Sequence, residues 1–266
     1  EYRPAGLYSA MLKPIAPYTL KGFIYYQGEN DEIHPDAYFA LLSNMIGVWR
    51  STFRDAGLPF LLVQLPAFKN RNDKATDGWG RLRRCQEMVA RRVENAGMAV
   101  AIDLGTFNNI HPPMKKQVGT RLALEALYRV YGTLERAQAE GPFISSFKAE
   151  GSTACIYLEN AEGGLAVKQD ACDKAVCKGV AADAKPFEIP GFEAAGEDRH
   201  YYKAHAELEV SGDGALIRLS CPKVEKIKHI AYLRHNWEEP AIFGLNGLPL
   251  APYYPEPGEC FNEDDK

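Results

Sequence analysis

Apolar and polar positions follow different patterns in the two halves of the chain. In the first half, short runs that are apolar at nearly every position alternate with longer stretches whose apolar residues recur every three or four positions. The short runs are typical of strands buried on both faces, and the longer stretches are typical of amphipathic helices. Strands are expected at 22–26, 59–65 and 98–104. Helices are expected at about 6–16, 36–53, 79–95 and 113–132.

This alternation predicts a parallel sheet with helices on both faces over residues 1–135. From about residue 142, short segments of alternating polarity are separated by clusters of Gly, Asp and Asn. That pattern is typical of antiparallel strands and predicts a β-rich, sandwich-like accessory domain over residues 142–266. The expected fold class is therefore an α/β region followed by a β-rich domain.

Composition and charge exclude several classes of protein. The chain has 266 residues, of which 46% are hydrophobic, enough to bury a substantial core. Its formal net charge is −4 and its Lys and Arg residues are spread along the chain, so we expect no nucleic-acid partner. The apolar runs are far shorter than the about 20 residues of a membrane-spanning helix, so no membrane partner is expected. No signal-peptide pattern is visible at the start.

Five of the six cysteines follow residue 150. Cys172 and Cys177 could close a short loop, and Cys155 and Cys221 could link two strands. Clustering in one half favours an oxidising compartment. Neither pair has the spacing of a zinc site, so no metal is expected, and we expect no cofactor.

Polar loops follow each of the three predicted strands. They contain the letters QGEND after the first strand, FKNRND after the second and GTFNNIHPP after the third. In an open parallel sheet, ligands bind in the crevice outside the carboxyl ends of the strands. The sequence therefore predicts a site formed by these three loops.

His111 is the candidate general base. It follows a strand and stands before Pro112 and Pro113 at the start of a helix. A histidine on a rigid turn can take up a proton near neutral pH. The alternative is a histidine that caps the helix or packs in the loop.

The turn after the first strand carries candidate oxyanion donors. The side-chain amides of Gln27 and Asn30 can donate N–H groups to a developing negative charge, and Gly28 lets the main chain approach a ligand. Glu29 could orient a donor, bind a sugar hydroxyl or act as an acid. The alternative is an ordinary polar turn after a strand.

Four stretches resemble segments of one enzyme family. KGFIYYQGEND, WGRLRRCQ, MAVAIDLGTFNNIHPPMKKQVGTRLALEALYRVYG and HIAYLRHNWEEPAIFGLNGLPLAPY are similar, in this order, to segments of the sialate O-acetylesterase family. That family belongs to the SGNH, or GDSL-like, serine hydrolases. The resemblance implies a flavodoxin-like parallel sheet, hydrolysis of acetyl esters on a carbohydrate partner, and a secreted or periplasmic location.

The resemblance also implies roles for individual residues. His111 matches the family's catalytic histidine, and Gln27, Gly28 and Glu29 match a Gln-Gly-Glu segment beside the catalytic centre. Three further residues match positions near the site: Trp79, Arg83 and Gln86. In the implied mechanism, a serine attacks the acetyl carbonyl while the histidine takes its proton, and water then releases acetate from the acyl-enzyme.

The sequence departs from the family at the nucleophile. The family's serine lies upstream in a Gly-Gln-Ser-Asn-like loop, and this chain has neither that loop nor a Gly-x-Ser-x-Gly elbow. Its eight serines offer no substitute, because they fall in predicted helices or in the β-rich half. We therefore expect the missing N-terminal segment of the same protein as a partner, supplying the serine and a further strand. Otherwise the chain is not a working hydrolase as it stands.

A second departure concerns the group that orients the histidine. Many relatives place an Asp two or three residues before it, where this chain has Asn109 and Asn108. An amide can hold an imidazole in place but cannot stabilise the imidazolium by charge. Asp103 at the strand end is the alternative partner.

Other functions remain open on the sequence alone. A non-catalytic carbohydrate-binding relative would explain both departures, and an esterase for acetylated xylan or xyloglucan would share the same motifs. In the β-rich half, Tyr201, Tyr202 and Trp237 could stack on sugar rings or could pack in the core. His200 and His205 are expected at the surface or in the core, without a metal.

Overall fold

The computed structural model describes residues 4–69, 78–162, 164–170, 173–177, 187–211 and 214–255. The first half forms a three-stranded parallel sheet. In chain order, which is also the order across the sheet, its strands are Phe23–Tyr25 (β1), Phe60–Gln64 (β2) and Ala96–Val100 (β3). The helices are Pro35–Thr52 (α1), Gly78–Arg92 (α2), Lys115–Arg129 (α3) and the short Arg136–Ala139 (α4).

Apolar side chains cover both faces of this sheet. On one face, Phe60 and Leu62 pack with Tyr38, Leu42 and other residues of α1 and α2. On the other face, β2 and β3 pack against α3. The continuous apolar runs thus form strands because each successive side chain has a helix to pack against.

The second half forms antiparallel sheets. One sheet has five strands in the order β4-β5-β12-β11-β8, and two have three strands each, in the orders β10-β9-β13 and β14-β6-β7. In chain order these strands are Phe143–Glu150 (β4), Thr153–Glu159 (β5), Leu165–Asp170 (β6), Asp173–Cys177 (β7), Phe187–Glu188 (β8), Phe192–Ala195 (β9), Tyr202–Lys203 (β10), His205–Ser211 (β11), Gly214–Ser220 (β12), His229–Tyr232 (β13) and Ile242–Gly244 (β14).

The structure confirms the fold class, a parallel sheet flanked by helices with antiparallel sheets after it. Ala67 and Ile102, from loops of the first half, belong to the core of the second half. The two halves therefore share buried surface, and the division at 135–142 into separate domains stays a prediction.

Two predicted element bounds need correction. The strand expected at 98–104 ends at Val100, because Ile102–Leu104 forms one turn of 3-10 helix. The helix expected at 6–16 is irregular, with a π-helical turn at Tyr8–Leu12 followed by a 3-10 turn at Lys13–Ile15. Pro14 lacks an N–H and cannot continue a regular helix.

The possible link between Cys155 and Cys221 is not formed. Both are free thiols, and so is Cys85. The other predicted pair involves Cys172, which lies outside the described residues. Over the described ranges, none of the helices is both long and apolar enough to cross a membrane. Over the same ranges, no three His, Cys, Asp or Glu side chains converge as metal ligands do.

Candidate active site

The carboxyl ends of the three parallel strands lie along one edge of the sheet. The loops after β2 and β3 are joined there by main-chain hydrogen bonds. The Ala67 N–H donates to the Ile102 carbonyl at 3.3 Å, and the Lys69 N–H donates to the Phe107 carbonyl at 2.9 Å. We call this edge, with loops 26–31, 65–69 and 101–111, the carboxyl edge. Most of FKNRND, from residue 70 onward, lies outside the described residues.

Gly28 forms the turn at the end of β1 in a conformation that favours glycine. Its φ is 137°. A Cβ atom there would lie 3.0 Å from the Tyr38 hydroxyl oxygen, 3.1 Å from Leu82 Cδ2 and 3.2 Å from Gln86 Nε2. The atoms that come close to Gly28 belong to helices α1 and α2, and the approach of a ligand there stays a prediction.

The Gln27 side chain is held inside the same turn. Its Nε2 donates to Asp31 Oδ2 at 2.6 Å. Its Oε1 accepts hydrogen bonds from the hydroxyl groups of Tyr25 at 3.1 Å and Tyr38 at 3.2 Å. A primary amide carries two N–H groups, so one N–H of Gln27 remains for a ligand at this partly exposed position.

Glu29 and Asn30 follow in a single 3-10 turn, Glu29–Asp31. Glu29 is half-buried and Asn30 is exposed, so both reach solvent at the carboxyl edge. Sequence reasoning missed Asp31, whose carboxylate fixes the Gln27 amide. The letters QGEND contain Asp31, but its role depends on a helical turn that brings residues four apart into contact.

Gln86 bridges the ends of the first two strands. Its Nε2 donates to the Gln27 carbonyl at 3.0 Å, and its Oε1 accepts the Leu65 N–H at 2.9 Å. The residue is 1% exposed. Both ends of its amide are used inside the protein, and the role of Gln86 in substrate binding stays a prediction. Gln86 positions the turn that carries Gln27.

Trp79 and Arg83 also face the interior, and each is 1% exposed. Trp79 Nε1 donates to the Pro66 carbonyl at 2.6 Å. Arg83 Nη2 donates to the carbonyls of Leu233 at 3.0 Å and His235 at 2.6 Å. Burial lowers the pKa of Arg83 to about 10, so the guanidinium stays charged at neutral pH. Both side chains bind the protein's own main chain, and their substrate contacts stay predictions.

His111 is exposed between two anchored neighbours. Ile110 packs against the core formed with α1 and α2, and Pro112 is buried. Because both neighbours face the protein, the imidazole is left at the surface of the carboxyl edge. Within the described residues it makes no side-chain hydrogen bond, so it is accessible to a reacting alcohol.

Among the described residues, no carboxylate or amide orients the imidazole. Asn109 Oδ1 accepts the main-chain N–H of His111 at 3.0 Å, which fixes the turn, and Asn108 is exposed. Asp103 is held by Arg121 through Nη1–Oδ1 and Nη2–Oδ2 contacts of 2.6 and 2.7 Å. The predicted catalytic contacts of Asn108 and Asn109, and the alternative through Asp103, are therefore absent from the described structure.

Lys115 connects the His111 loop to the turn after β1. Its ammonium nitrogen lies 4.1 Å from the centroid of the Tyr26 ring. Burial, together with the Glu29 carboxylate, raises the pKa of Tyr26 to about 12. The phenol is therefore neutral at physiological pH, and the two loops leave the same edge of the sheet in direct contact.

A loop of the second half, residues 233–240, also packs on the carboxyl edge. Asn236 Oδ1 accepts the main-chain N–H of Trp79 at 3.0 Å, and the main-chain carbonyl of Asn236 accepts the main-chain N–H of Phe68 at 2.9 Å. The rings of Phe107 and Trp237 meet edge to face, with centroids 5.3 Å apart. Sequence reasoning missed Asn236, because its partners are more than 150 positions away and no local pattern signals them.

A buried carboxylate fixes the start of this loop. Glu193 on β9 pairs with Arg234 and accepts a hydrogen bond from His235 Nε2 at 3.1 Å. Burial alone would raise the pKa of Glu193, but His235 and Arg234 outweigh it and lower that pKa. The Glu193 carboxylate in turn raises the pKa of His235. The pairing stabilises the loop that carries Trp237.

None of the eight serines lies in the loops of the carboxyl edge. Their positions are the turn before β1 (Ser9), helix α1 (Ser43 and Ser51) and the strands and turns of the second half (Ser145, Ser146, Ser152, Ser211 and Ser220). A histidine that acts as a base for an alcohol needs that alcohol within hydrogen-bond reach. The described residues therefore include a candidate base, His111, but no serine beside it that could act as the nucleophile.

Comparison with known proteins shows which class of protein the chain resembles. Residues 2–128 match the family model described as carbohydrate esterase, sialic acid-specific acetylesterase. A carbohydrate acetylesterase from Xanthomonas citri has a similar structure, with a TM-score of 0.79 and 28% identity. That match covers 94% of this chain and 54% of the other.

Sialate O-acetylesterases are the curated relatives. The mouse protein is 32% identical over 172 residues, which cover 59% of this chain and 32% of that protein. The human protein is 34% identical over 153 residues, which cover 51% of this chain and 29% of that protein. The chain thus spans about a third of the length of these relatives. Over residues 2–128 the chain is similar to the sialate O-acetylesterase family of carbohydrate esterases.

Proposed function

We propose that this chain forms part of an esterase that removes O-acetyl groups from carbohydrates by a serine mechanism. The observation that carries the proposal is the exposed imidazole of His111 at the carboxyl edge, on the same edge as the Gln27 turn. Besides its nucleophile, acyl transfer needs a general base and an N–H donor for the oxyanion, and both lie on this rim. Similarity to an acetylesterase family over residues 2–128 supports the same reaction class.

In the proposed reaction, a serine hydroxyl attacks the acetyl carbonyl carbon while His111 takes the hydroxyl proton. The second N–H of Gln27 stabilises the oxyanion that forms. The bond between the acetyl carbon and the sugar oxygen then breaks, and the sugar oxygen takes the proton from the imidazolium. A water molecule repeats these steps on the acyl-enzyme and releases acetate.

Asp31 has a positioning role in this mechanism. Its carboxylate holds one N–H of Gln27, which leaves the remaining N–H in a single orientation. An oriented donor needs no reorganisation when charge develops on the carbonyl oxygen. His111 lacks a carboxylate partner among the described residues, so the proposed base is one half of a serine–histidine dyad.

The proposed serine comes from a segment that these 266 residues do not include. Within the described sheet β1 is an edge strand. Ile24 on β1 pairs in register with Leu61 on β2, so the two side chains share a face. Leu61 is 3% exposed beneath α3, whereas Ile24 is 72% exposed. An apolar residue left open beside a free strand edge supports a further strand and covering helix there.

Acetate release by the complete gene product and by the 266-residue chain alone would test this proposal. The substrates are 9-O-acetylated N-acetylneuraminic acid and acetylated xylan, since loops outside the reacting centre decide between such sugars. We expect the complete product to release acetate from one of them and the chain alone to release none. A complete product that releases no acetate from either would contradict the proposed reaction.

A non-catalytic carbohydrate-binding protein is the second candidate. The absence of a carboxylate partner for His111 and of a serine at the carboxyl edge, both within the described residues, favours it. This alternative predicts sugar binding by calorimetry without turnover, even by the complete gene product. Labelling of the complete product by a fluorophosphonate, which reacts with activated serines, would exclude it.

A further inference from the structure

A cavity of about 170 Å³ lies beside β3, which is an edge strand of the described sheet. We call it the β3-edge cavity. Its apolar walls come from helices, from β3 and from the second half, and include Ala90, Met98, Ala139, Phe143 and Leu248. None of its described lining residues belongs to the loops of the carboxyl edge. An apolar cavity of about 150 Å³ can hold a benzene molecule, so the β3-edge cavity has room for one six-membered ring.

Two segments of the second half form a fixed wall of the cavity. The main-chain N–H of Ala251 donates to the Pro142 carbonyl at 3.0 Å. A Cβ atom on Gly141 would lie only 2.3 Å from the Pro249 carbonyl oxygen, so the two segments are in close contact. The cavity is therefore preformed, and little ordering is needed when a ligand binds.

The arginines that line the cavity all pair with carboxylates of the protein. The pairs are Arg91 with Glu87, Arg121 with Asp103, Arg129 with Glu125 and Glu140, and Arg136 with Glu140. A charged ligand would have to compete with these pairs for its partner. The balance of charge therefore favours a neutral ligand.

One oxygen of Glu125 is available to a ligand. Glu125 is 1% exposed, and its Oε2 accepts a hydrogen bond from Arg129 Nε at 2.7 Å. Across the residues that the structure describes, Oε1 accepts no hydrogen bond. A buried acceptor without a donor is unfavourable. A ligand that brings an O–H or N–H group into the cavity would supply that donor.

The guanidinium groups at the cavity favour an aromatic ligand over a saturated one. Arg136 Cζ lies 4.6 Å from the centroid of the Phe143 ring, and Arg91 Cζ lies 5.4 Å from it. Both distances are those of cation–π contacts. A second ring in the cavity can make the same kind of contact and can also pack against Phe143, whereas a saturated ring gains only apolar contact.

We propose that the β3-edge cavity binds one small, neutral aromatic molecule that carries an O–H or N–H group, with the ring against Phe143 and the donor on Glu125 Oε1. This site does not depend on the proposed esterase function. Arg121 connects it to the carboxyl edge, because Arg121 lines the cavity and also holds Asp103 in loop 101–111.

Binding of phenol to the 266-residue chain tests this inference. Phenol, benzene and cyclohexanol are titrated into the ¹⁵N-labelled chain, and amide chemical shifts are followed by NMR. The titrations are made at pH 8, because burial raises the pKa of Glu125 to about 7 and the carboxylate is then the main form. Phenol, with a pKa near 10 like that of tyrosine, stays neutral.

Two variants show where phenol binds. Ala90 lines the cavity, so Ala90→Leu fills part of it. Ala123 is exposed on α3 and does not line the cavity, so Ala123→Leu is the matched control. Thermal melting of each variant verifies that it remains folded.

We expect phenol to bind the wild type and Ala123→Leu with a dissociation constant of about 1 mM, and to shift the amides of Val100 and Gly141. Benzene lacks the donor and should bind about fivefold more weakly. Cyclohexanol lacks the aromatic ring and should bind about threefold more weakly. Folded Ala90→Leu should bind phenol about tenfold more weakly than the control.

Three results would overturn the inference. They are the absence of phenol binding, phenol binding no tighter than that of benzene or cyclohexanol, and unchanged phenol binding by folded Ala90→Leu. The comparison of the three ligands on the wild type decides the question even if Ala90→Leu does not fold.

Discussion

The Lys115 ammonium lies over the Tyr26 ring, 4.1 Å from its centroid. Lys115 begins α3, four positions after His111, and Tyr26 directly precedes Gln27. The contact joins two loops that are about 90 positions apart in sequence and leave opposite strands of the sheet. It holds the proposed base and the proposed oxyanion donor on one rim, before any nucleophile is added.

Replacing Gly28 should destabilise the protein. In Gly28→Ala, the Cβ atom meets three side-chain atoms at 3.0 to 3.2 Å, and an alanine is strained at a φ of 137°. We expect a loss of about 1–3 kcal/mol in the free energy of unfolding, measured by urea denaturation.

Gly119 provides the matched control for that change. It lies within α3, and a Cβ there meets nothing within 4 Å. Gly119→Ala should therefore raise the free energy of unfolding by roughly 0.5–1 kcal/mol, because alanine favours the helix. Equal effects at the two glycines would contradict the structural reading of the Gly28 turn.

Replacing Gln86 should remove the bridge between the first two strands. Gln86→Leu leaves the buried Leu65 N–H without its partner, whereas the Gln27 carbonyl keeps the hydrogen bond from the Tyr38 hydroxyl. We expect a loss of roughly 1–3 kcal/mol in the free energy of unfolding, which is the usual cost of one unsatisfied buried group. Gln117→Leu, at an exposed position of α3, is the control and should change stability by less than about 0.5 kcal/mol. A Gln86→Leu protein as stable as this control would show that the bridge contributes little.

Glu125 should make stability depend on pH. Burial raises its pKa from 4.5 to about 7, with a further contribution from Glu140, despite the Arg129 partner. The folded state then binds the proton more tightly than the unfolded state. The resulting stabilisation is complete below pH 4.5 and is lost as the pH rises through about 7.

The comparison of Glu125→Gln with the wild type isolates this effect. Glutamine does not ionise, so the stability of the variant relative to the wild type should increase between pH 4.5 and pH 8. Glu150→Gln, at an exposed position at the end of β4, is the control. Its stability should change with pH in the same way as that of the wild type. A relative stability of Glu125→Gln that falls over this range would mean that Arg129 outweighs burial.

The sequence predicts the strands, the loops at their carboxyl ends and the position of His111 in the third of these loops. All three depend on local patterns. β2 is apolar at nearly every position, and a strand that is buried on both faces needs no distant information. Likewise Ile110 and Pro112 anchor the His111 loop through their own apolar surface.

The interior roles of Arg83 and Gln86 could not be predicted in this way. A charged or amide side chain in a helical pattern is expected at the surface. Arg83 can be buried because its guanidinium donates hydrogen bonds to the carbonyls of Leu233 and His235, which lie some 150 positions further along the chain. The Arg83 contacts arise from the packing of the two halves, and the Gln86 contacts arise from the packing of α2 against the ends of β1 and β2. The pattern along one helix encodes neither.

The activity of His111→Ala shows whether this imidazole is the base of the reaction. It is made in the complete gene product and compared with His205→Ala, a partly exposed histidine of β11 in the second half. The measurement is kcat/KM for acetate release from the acetylated sugar that the wild type hydrolyses. We predict that His111→Ala lowers it by about 10²–10⁴-fold without lowering the melting temperature, and that His205→Ala leaves it unchanged. Undiminished acetate release by His111→Ala would contradict the account.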